Sequence, residues 1–335
     1  MTKVRVICIG EALVDKIINK SDNHFKNYLG GAPANVACAL SKLGVSTAFV
    51  GCVGNDAYGH EFRKLFNKLK VNIDFLQNDE KYSTRVVKVI RDSTGDRSFS
   101  GFEYSEGNSF ADEMLEKSFL KNNLDGLKKL FSETNYIVTG SNILASEKSA
   151  ESLKFILEIA KDFDIKIVVD VNWRDIFWNN SNFVRNIDRS DKIKQIKRFL
   201  NNADILKLAS EEAQLFFETH EPLEISQSLK SKPDVIITDA SNPILWYIKG
   251  IKGLNQVINS EKVVDTTGAG DAFLAGLLSK FSNESKSLMD YATIQNYVNF
   301  ASICGLLTCL GEGAIEQQPS GKLVYEFIEN LGAEI

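Results

Sequence analysis

Histidine is scarce in this chain: His24, His60 and His220 lie far apart and offer no metal-ligand spacing. The five cysteines, Cys8, Cys38, Cys52, Cys304 and Cys309, are odd in number and form no Cys-x-x-Cys pair. Set among apolar neighbours, they read as reduced core residues rather than disulfides or zinc ligands. No apolar run reaches the roughly 18 residues that a membrane helix needs. The start of the chain passes almost directly into an apolar strand, Val4 to Ile9, without a signal-peptide pattern. No basic block is present, and a net charge of −5 gives no support to nucleic-acid binding. There is no proline-rich linker, internal repeat or low-complexity segment. These absences leave neither nucleic acid nor membrane as an expected partner, and a cytoplasmic location is the simplest expectation.

What remains is ordinary globular material, with 44% hydrophobic and 25% charged residues in 335, enough to bury a sizeable core. Val6 to Ile9, Thr47 to Val53, Tyr136 to Thr139, Lys166 to Val171, Asp204 to Leu208 and Asp234 to Thr238 read as short strands built on continuous apolar runs. Between them lie segments with apolar residues at helical spacing, such as Val36, Leu40 and Leu43 before a stop at Gly44, or Leu153, Ile156 and Leu157. Apolar strands alternating with helices predict an α/β domain whose parallel sheet is covered on both faces. Ligands of such sheets bind at the carboxyl ends of the strands, where Gly10, Thr139, Asn172, Lys207 and Thr238 fall. Ser83 to Phe102 departs from this rhythm. Its alternation around Asp92 to Asp96 reads as a β-hairpin, predicting a separate small sheet that serves as a lid or a pairing edge if the polar segment near Asp15 joins it.

Common phosphate and nucleophile motifs are missing: no Gly-x-Gly-x-x-Gly follows the first strand, and neither Gly-x-x-x-x-Gly-Lys-Ser/Thr nor Gly-x-Ser-x-Gly occurs. Two other glycine turns stand out. Asp265-Thr266-Thr267-Gly268-Ala269-Gly270-Asp271-Ala272-Phe273 leads into a helix marked by Leu274, Leu277 and Leu278. Backbone N–H groups at Gly268, Ala269 and Gly270, with the positive end of the helix dipole, make a site for phosphate or a developing oxyanion. A carboxylate just beyond such a turn repels phosphate, so Asp271 suits a base that takes a proton from an attacking hydroxyl; the alternative is a helix cap. Gly30-Gly31-Ala32-Pro33-Ala34-Asn35 is the second turn, and Asn35 could serve a polar ligand or cap its helix.

Together these turns resemble the paired signatures of the pfkB/ribokinase family of sugar kinases, over essentially the whole chain. Gly10-Glu11-Ala12-Leu13-Val14-Asp15, Asp170-Val171-Asn172-Trp173-Arg174 and Lys207-Leu208-Ala209-Ser210-Glu211-Glu212 are most similar to fructokinases of the plant and cyanobacterial kind. The resemblance implies a ribokinase-like three-layer α/β/α domain spanning 1–335, with lid segments at about 12–30 and 83–106. It implies ATP-dependent phosphorylation of D-fructose. Asp271 would be the base, with Gly268, Ala269 and Gly270 as the anion hole and Arg174 offsetting phosphate charge. Asp15, Gly30, Gly31, Asn35 and Asn172 would hold the sugar, with Arg97 contributing from the lid. Lys207, Thr238 and Ser302, beside Gly268 and Gly270, would serve ATP. Glu212 would organise the water shell of Mg²⁺, while Asp265, Thr267 and Gly313 match a loop that in this family often binds K⁺. A homodimer through the lid sheet follows from the hairpin. Other sugars or nucleosides of the family, and a catalytically silent assembly subunit, are the competing readings.

Three departures stand against the family pattern. Ala209-Ser210-Glu211-Glu212 lacks the asparagine of the usual Asn-x-x-Glu. Thr238-Asp239-Ala240-Ser241-Asn242-Pro243 lacks both glycines of the usual nucleotide loop, and Gln317 stands where a small residue is expected.

Overall fold

The computed structural model describes residues 4–19, 25–91, 97–103, 109–180, 188–283 and 289–333. Its strands, in chain order, are β1 (Val6–Ile9), β2 (Leu13–Asn19), β3 (Phe25–Gly30), β4 (Thr47–Gly54), β5 (Asn72–Asp79), β6 (Val86–Arg91), β7 (Arg97–Phe102), β8 (Tyr136–Gly140), β9 (Lys166–Asp170), β10 (Ile205–Ala209), β11 (Asp234–Asp239), β12 (Asn242–Ile248) and β13 (Ile251–Asn255). They form a nine-stranded sheet in the order β13-β12-β11-β10-β9-β8-β1-β4-β5 and a four-stranded sheet in the order β3-β2-β6-β7.

Pairing is parallel throughout from β5 to β11 and antiparallel for β11–β12 and β12–β13. The parallel part follows from the strand sequences. All four residues of β1 are buried, with Ile7 and Ile9 entering one core while Val6 and Cys8 enter the other. A strand with two buried faces needs helices on both. One face is covered by helices Glu147–Ala160, Arg189–Leu200 and Ser210–Phe217 through Leu153, Ile156, Ile196 and Phe216. The other is covered by helices Ala32–Lys42, Ala57–Lys68, Ala269–Asn283 and Tyr291–Thr308 through Leu40, Phe62, Leu277 and Val298. Each such side chain contributes roughly 1.5–3 kcal/mol on burial. The result is the ribokinase-like architecture expected: a large, mostly parallel sheet plus a small one.

The five cysteines are buried free thiols. The expected stop of the first helix also holds, since Gly44 lies at φ 84° and its N–H reaches the Ser41 carbonyl at 3.0 Å. Several elements carried too little periodicity to be expected. Helix Tyr291–Thr308 buries Ile294, Val298, Phe300, Ala301, Ile303 and Cys304, residues that point to most sides of the helix, so it has no polar stripe to read. Strands β5, β12 and β13 lie toward the sheet's margins and mix polar with apolar residues.

The stretch Thr238–Pro243, read above as a nucleotide loop without its glycines, runs from the end of β11 through the tight turn Ala240-Ser241 into β12, with Asp239 paired to Asn242. Ala240 carries φ 46°, the left-handed region a glycine would occupy without penalty. Alanine adopts it at a cost of roughly 1–2 kcal/mol.

In the small sheet β2 pairs antiparallel with β3 and parallel with β6, which pairs antiparallel with β7. The hairpin therefore forms, and the segment at Asp15 joins it. Leu13 and Val14 of β2 are buried at 5% and 0% exposure and join the cores of the large sheet. The expected turn residues 92–96 lie outside the described residues.

Candidate active site

A cleft of about 340 Å³ opens at the carboxyl ends of the large sheet, walled on one side by the small sheet through Asp15, Val87 and Val89. Both glycine turns reach it.

The first turn places Gly31 before helix Ala32–Lys42 at φ 99°, where a Cβ would lie 2.6 Å from the Glu11 carbonyl oxygen, so only glycine fits. Gly31 is the residue that precedes the helix, with no side-chain cap, so Asn35 is not the cap. It sits inside the first turns, 4% exposed, and its Nδ2 donates to Asp271 Oδ2 at 2.7 Å. Asn35 Oδ1 is buried in the cleft wall with no hydrogen-bond partner. Asp15 Oδ2 lies over Gly30, 2.8 Å from where a Cβ would stand. Asp15, Gly30 and Asn35 are thus one cluster, and Asn172 also lines the cleft.

The second turn is braced from below. Asp265 is 4% exposed; its Oδ1 accepts from the Thr267 N–H at 2.8 Å and its Oδ2 from the Gly313 N–H at 3.1 Å. Gly268, at φ 76°, packs so tightly that a Cβ would lie 2.6 Å from Ala314 Cβ. Asp271 is the third residue of helix Ala269–Asn283, inside the first turn and not at a cap position. The first N–H groups of a helix have no acceptor within it. One expectation is corrected here: the Ala269 N–H is folded back on the Thr266 carbonyl at 3.3 Å and is not held open for a ligand.

Lys207 Nζ bonds Asp170 at 2.9 and 3.1 Å, and a Cβ on Gly270 would lie 3.1 Å from the same ammonium. A cation therefore sits against the glycine turn. Glu212 lines the cleft, yet each of its oxygens holds a backbone N–H, Trp173 at 2.6 Å and Ala209 at 2.8 Å. It ties the ends of β9 and β10 together, and a second lone pair on each oxygen stays available for water.

Charge in this site is tuned by burial. The Asp271 carboxyl is pushed up to about 6 by burial and by Asp170, against the hydrogen bond from Asn35 and the cations Lys207 and Arg174. Burial, then Asp112 and Asp271, lift Glu11 to about 7, opposed by its own backbone and by Asn142. Burial alone would lower the Lys207 ammonium, but Asp170, Glu212 and Asp271 hold it above its ordinary value. Burial and Asp170 raise Glu212, against its backbone hydrogen bonds and Lys207.

The structure brings together in the cleft Asp15, Gly31, Asn35, Asn172, Arg174, Lys207, Glu212, Thr238, Thr267, Gly268, Gly270 and Asp271. Asp265 and Gly313 lie beneath the turn and not on the wall. Ser302, expected at the nucleotide, is buried in helix Tyr291–Thr308 and is not among the lining residues. The side chain of Arg97 lies outside the described residues. Glu11, Asn142 and Phe177 line the cleft without having been assigned a role from sequence. Asn142 Nδ2 reaches Glu11 Oε1 at 3.4 Å, and its Oδ1 is buried and unpartnered. Only the Gly10-Glu11 pair at the end of β1 offered a signal for this corner. Among the described residues, no group of three His, Cys, Asp or Glu could hold a metal ion.

A buried carboxylate at a glycine turn, a lysine beneath it and a second turn holding polar groups opposite are an arrangement suited to phosphoryl transfer. The family model described as pfkB family carbohydrate kinase matches residues 3–321, and the chain belongs to that family. It is a sugar kinase, moving phosphate onto a hydroxyl group. It is 30% identical over 331 residues to probable fructokinase-6, chloroplastic, of Arabidopsis thaliana, covering 96% of this chain and 81% of that one. Fructokinase of Xylella fastidiosa, solved with bound ATP, superposes with a TM-score of 0.82 at 25% identity, over 98% of this chain and 99% of that one. Fructokinase of Vibrio cholerae O395, in a form binding fructose, ADP and calcium ion, gives 0.79 at 27% identity over the same shares. No helix among the described residues is long and apolar enough to cross a membrane.

Proposed function

We propose that this chain is a fructokinase, converting D-fructose and ATP to fructose 6-phosphate and ADP by direct in-line transfer within a single kinase domain. The observation that carries the reading is the 2.7 Å bond from Asn35 to Asp271, which joins the two glycine turns in one cleft. Relatives that bear the name fructokinase along nearly the full chain support the choice of sugar.

In this reading separate sugar hydroxyls donate to the Asn35, Asn142 and Asp15 oxygens, and the reacting hydroxyl lies against Asp271. Asp271 accepts its proton as the oxygen attacks the γ-phosphate; a base near pH 6 is ionised at neutral pH and loses little driving force. Charge on the transferring group is met by Gly268 and Gly270 N–H groups at the helix start, by Lys207 and by Arg174. Thr238, on the cleft wall, serves the nucleotide in this reading. Mg²⁺ brought with ATP supplies charge neutralisation of the phosphates. The residues fit it through water, because Glu212 lines the cleft but spends one lone pair of each oxygen on backbone. The small sheet is the lid in this reading. The loop of Asp265, Thr267 and Gly313 is the place for a monovalent cation, tested by comparing turnover in KCl with that in tetramethylammonium chloride. Edge strand β3, with Phe25 56% exposed, is the dimer contact, and sedimentation as a monomer at micromolar concentration would remove it. Five buried free thiols suit a reducing compartment such as the cytoplasm.

The decisive test is coupled-assay phosphorylation of D-fructose with MgATP. Turnover with a fructose KM well below that for other hexoses supports the reading. Turnover confined to another sugar or a nucleoside overturns the substrate and leaves the base in place.

A further inference from the structure

The segment Leu310–Gln318 is held from both halves of the site. Tyr28, on β3 of the small sheet, donates its hydroxyl to Glu312 Oε2 at 2.8 Å. Its ring lies against Gly313 so closely that a Cβ there would meet the ring at 2.7 Å. The next link is the Gly313 N–H on Asp265, whose other oxygen holds the Thr267 N–H at the start of the glycine turn. From the other side, Gln318 Nε2 donates to the Asn35 carbonyl at 2.9 Å in a buried setting. Tyr28 is also the cross-strand partner of Asp15, so the same ladder position carries the sugar-side carboxylate and this contact.

We infer that Tyr28 and Glu312 are positioning residues for phosphoryl transfer: their contact sets the glycine turn from the strand that also presents Asp15. The inference rests on the proposed role of that turn. Neither residue lines the cleft or touches the reacting atoms. They act through Gly313 and Asp265, fixing where the N–H groups of Gly268 and Gly270 point relative to the sugar. Turn geometry off by a fraction of an ångström lowers the rate of transfer and leaves binding of the sugar largely intact. Lys26 also reaches Glu312 at 2.7 Å, but it is 67% exposed, and such a pair contributes little.

The test is steady-state kinetics of Tyr28→Phe, which keeps the ring and deletes the hydroxyl, and of Glu312→Ala, singly and together. Each is expected to lower kcat about threefold to tenfold, the scale of one hydrogen bond, with the sugar KM within about twofold. The double variant should be no worse than the poorer single one, because both delete the same contact. Glu312→Gln, which keeps an acceptor oxygen for Tyr28, should recover most of the rate. Unchanged kcat in both single variants overturns the inference, as does a rise in KM at constant kcat. A fall in kcat that tracks a fall in melting temperature across the series also overturns it, showing a merely structural contact. Asp271→Asn run beside them separates this inference from the assignment of the base. If Asp271→Asn keeps its turnover, the base is wrong whatever Tyr28 does. If it loses turnover while Tyr28→Phe does not, only the positioning role fails.

Discussion

The two glycine turns do opposite electrostatic jobs with nearly the same backbone device. Each leads straight into a helix, each contains a glycine at positive φ against a close neighbour, and each carries its polar side chain inside the first turns. The first turn is surrounded by acceptors: Asp15, the Glu11 carbonyl and the unpartnered Asn35 Oδ1. The second rests on a cation, Lys207, and on a carboxylate, Asp265, whose oxygens are both held by backbone N–H groups. Acceptors suit a neutral polyol, and donors with a cation suit phosphate. The bond from Asn35 to Asp271 crosses between them, so the proposed base stands where the two turns meet, beside the place the proposed reaction gives the sugar hydroxyl.

Removing the crossing point should do the most damage. Asp271→Asn is expected to lower kcat by about 10²–10⁴, the usual range for a general base, with circular dichroism and sugar KM changed far less. A kcat within tenfold of the parent would break the assignment.

Next comes the cation. Lys207→Met leaves Asp170 buried without its partner and should cost about 3–5 kcal/mol in urea denaturation, with loss of most activity. Adding Asp170→Asn should recover part of that stability but not the rate, because the charge facing the phosphate is still missing. Recovery of both would show that the pair is only structural.

Gly268→Ala tests the second turn's backbone alone. A left-handed alanine against Ala314 should cost about 1–3 kcal/mol and lower kcat, whereas Gly44→Ala, which meets nothing within 4 Å, should cost stability without touching the rate. Equal effects on kcat would mean that the tight fit at Gly268 serves the fold only.

The smallest expected effect is the most diagnostic of the crossing bond. The kcat/KM profile should fall below about pH 6 as Asp271 takes up a proton. Asn35 holds that value down, so Asn35→Ala should move the acid limb upward. The stability sign follows from the raised value. Ionising this carboxyl in its buried site lowers stability fully above about 6, and the deficit disappears below the unfolded value near 3.8. An acid limb that stays put in Asn35→Ala would break the link between the turns.

Much of this was legible in the order of residues. Largely apolar strands announced a buried parallel sheet, and the Gly268-Ala269-Gly270-Asp271 stretch announced a glycine turn opening a helix, because strand burial and helix starts are local properties. Sequence misjudged Ala269, whose N–H is taken by Thr266, because local spacing does not show which backbone groups a turn will close on. It also gave no role to Asn142 and Phe177, which belong to the site only through where their elements end.

The sequence alone therefore determined the layers, the two turns and the chemical character of each, since periodicity and glycine spacing act over a few residues. Only the tertiary structure decided that residues 35 and 271, and 170 and 207, are partners, and that Asp265 grips a loop some fifty residues later. Such pairings are set by the packing of strands and helices around one crevice, which no window along the chain contains.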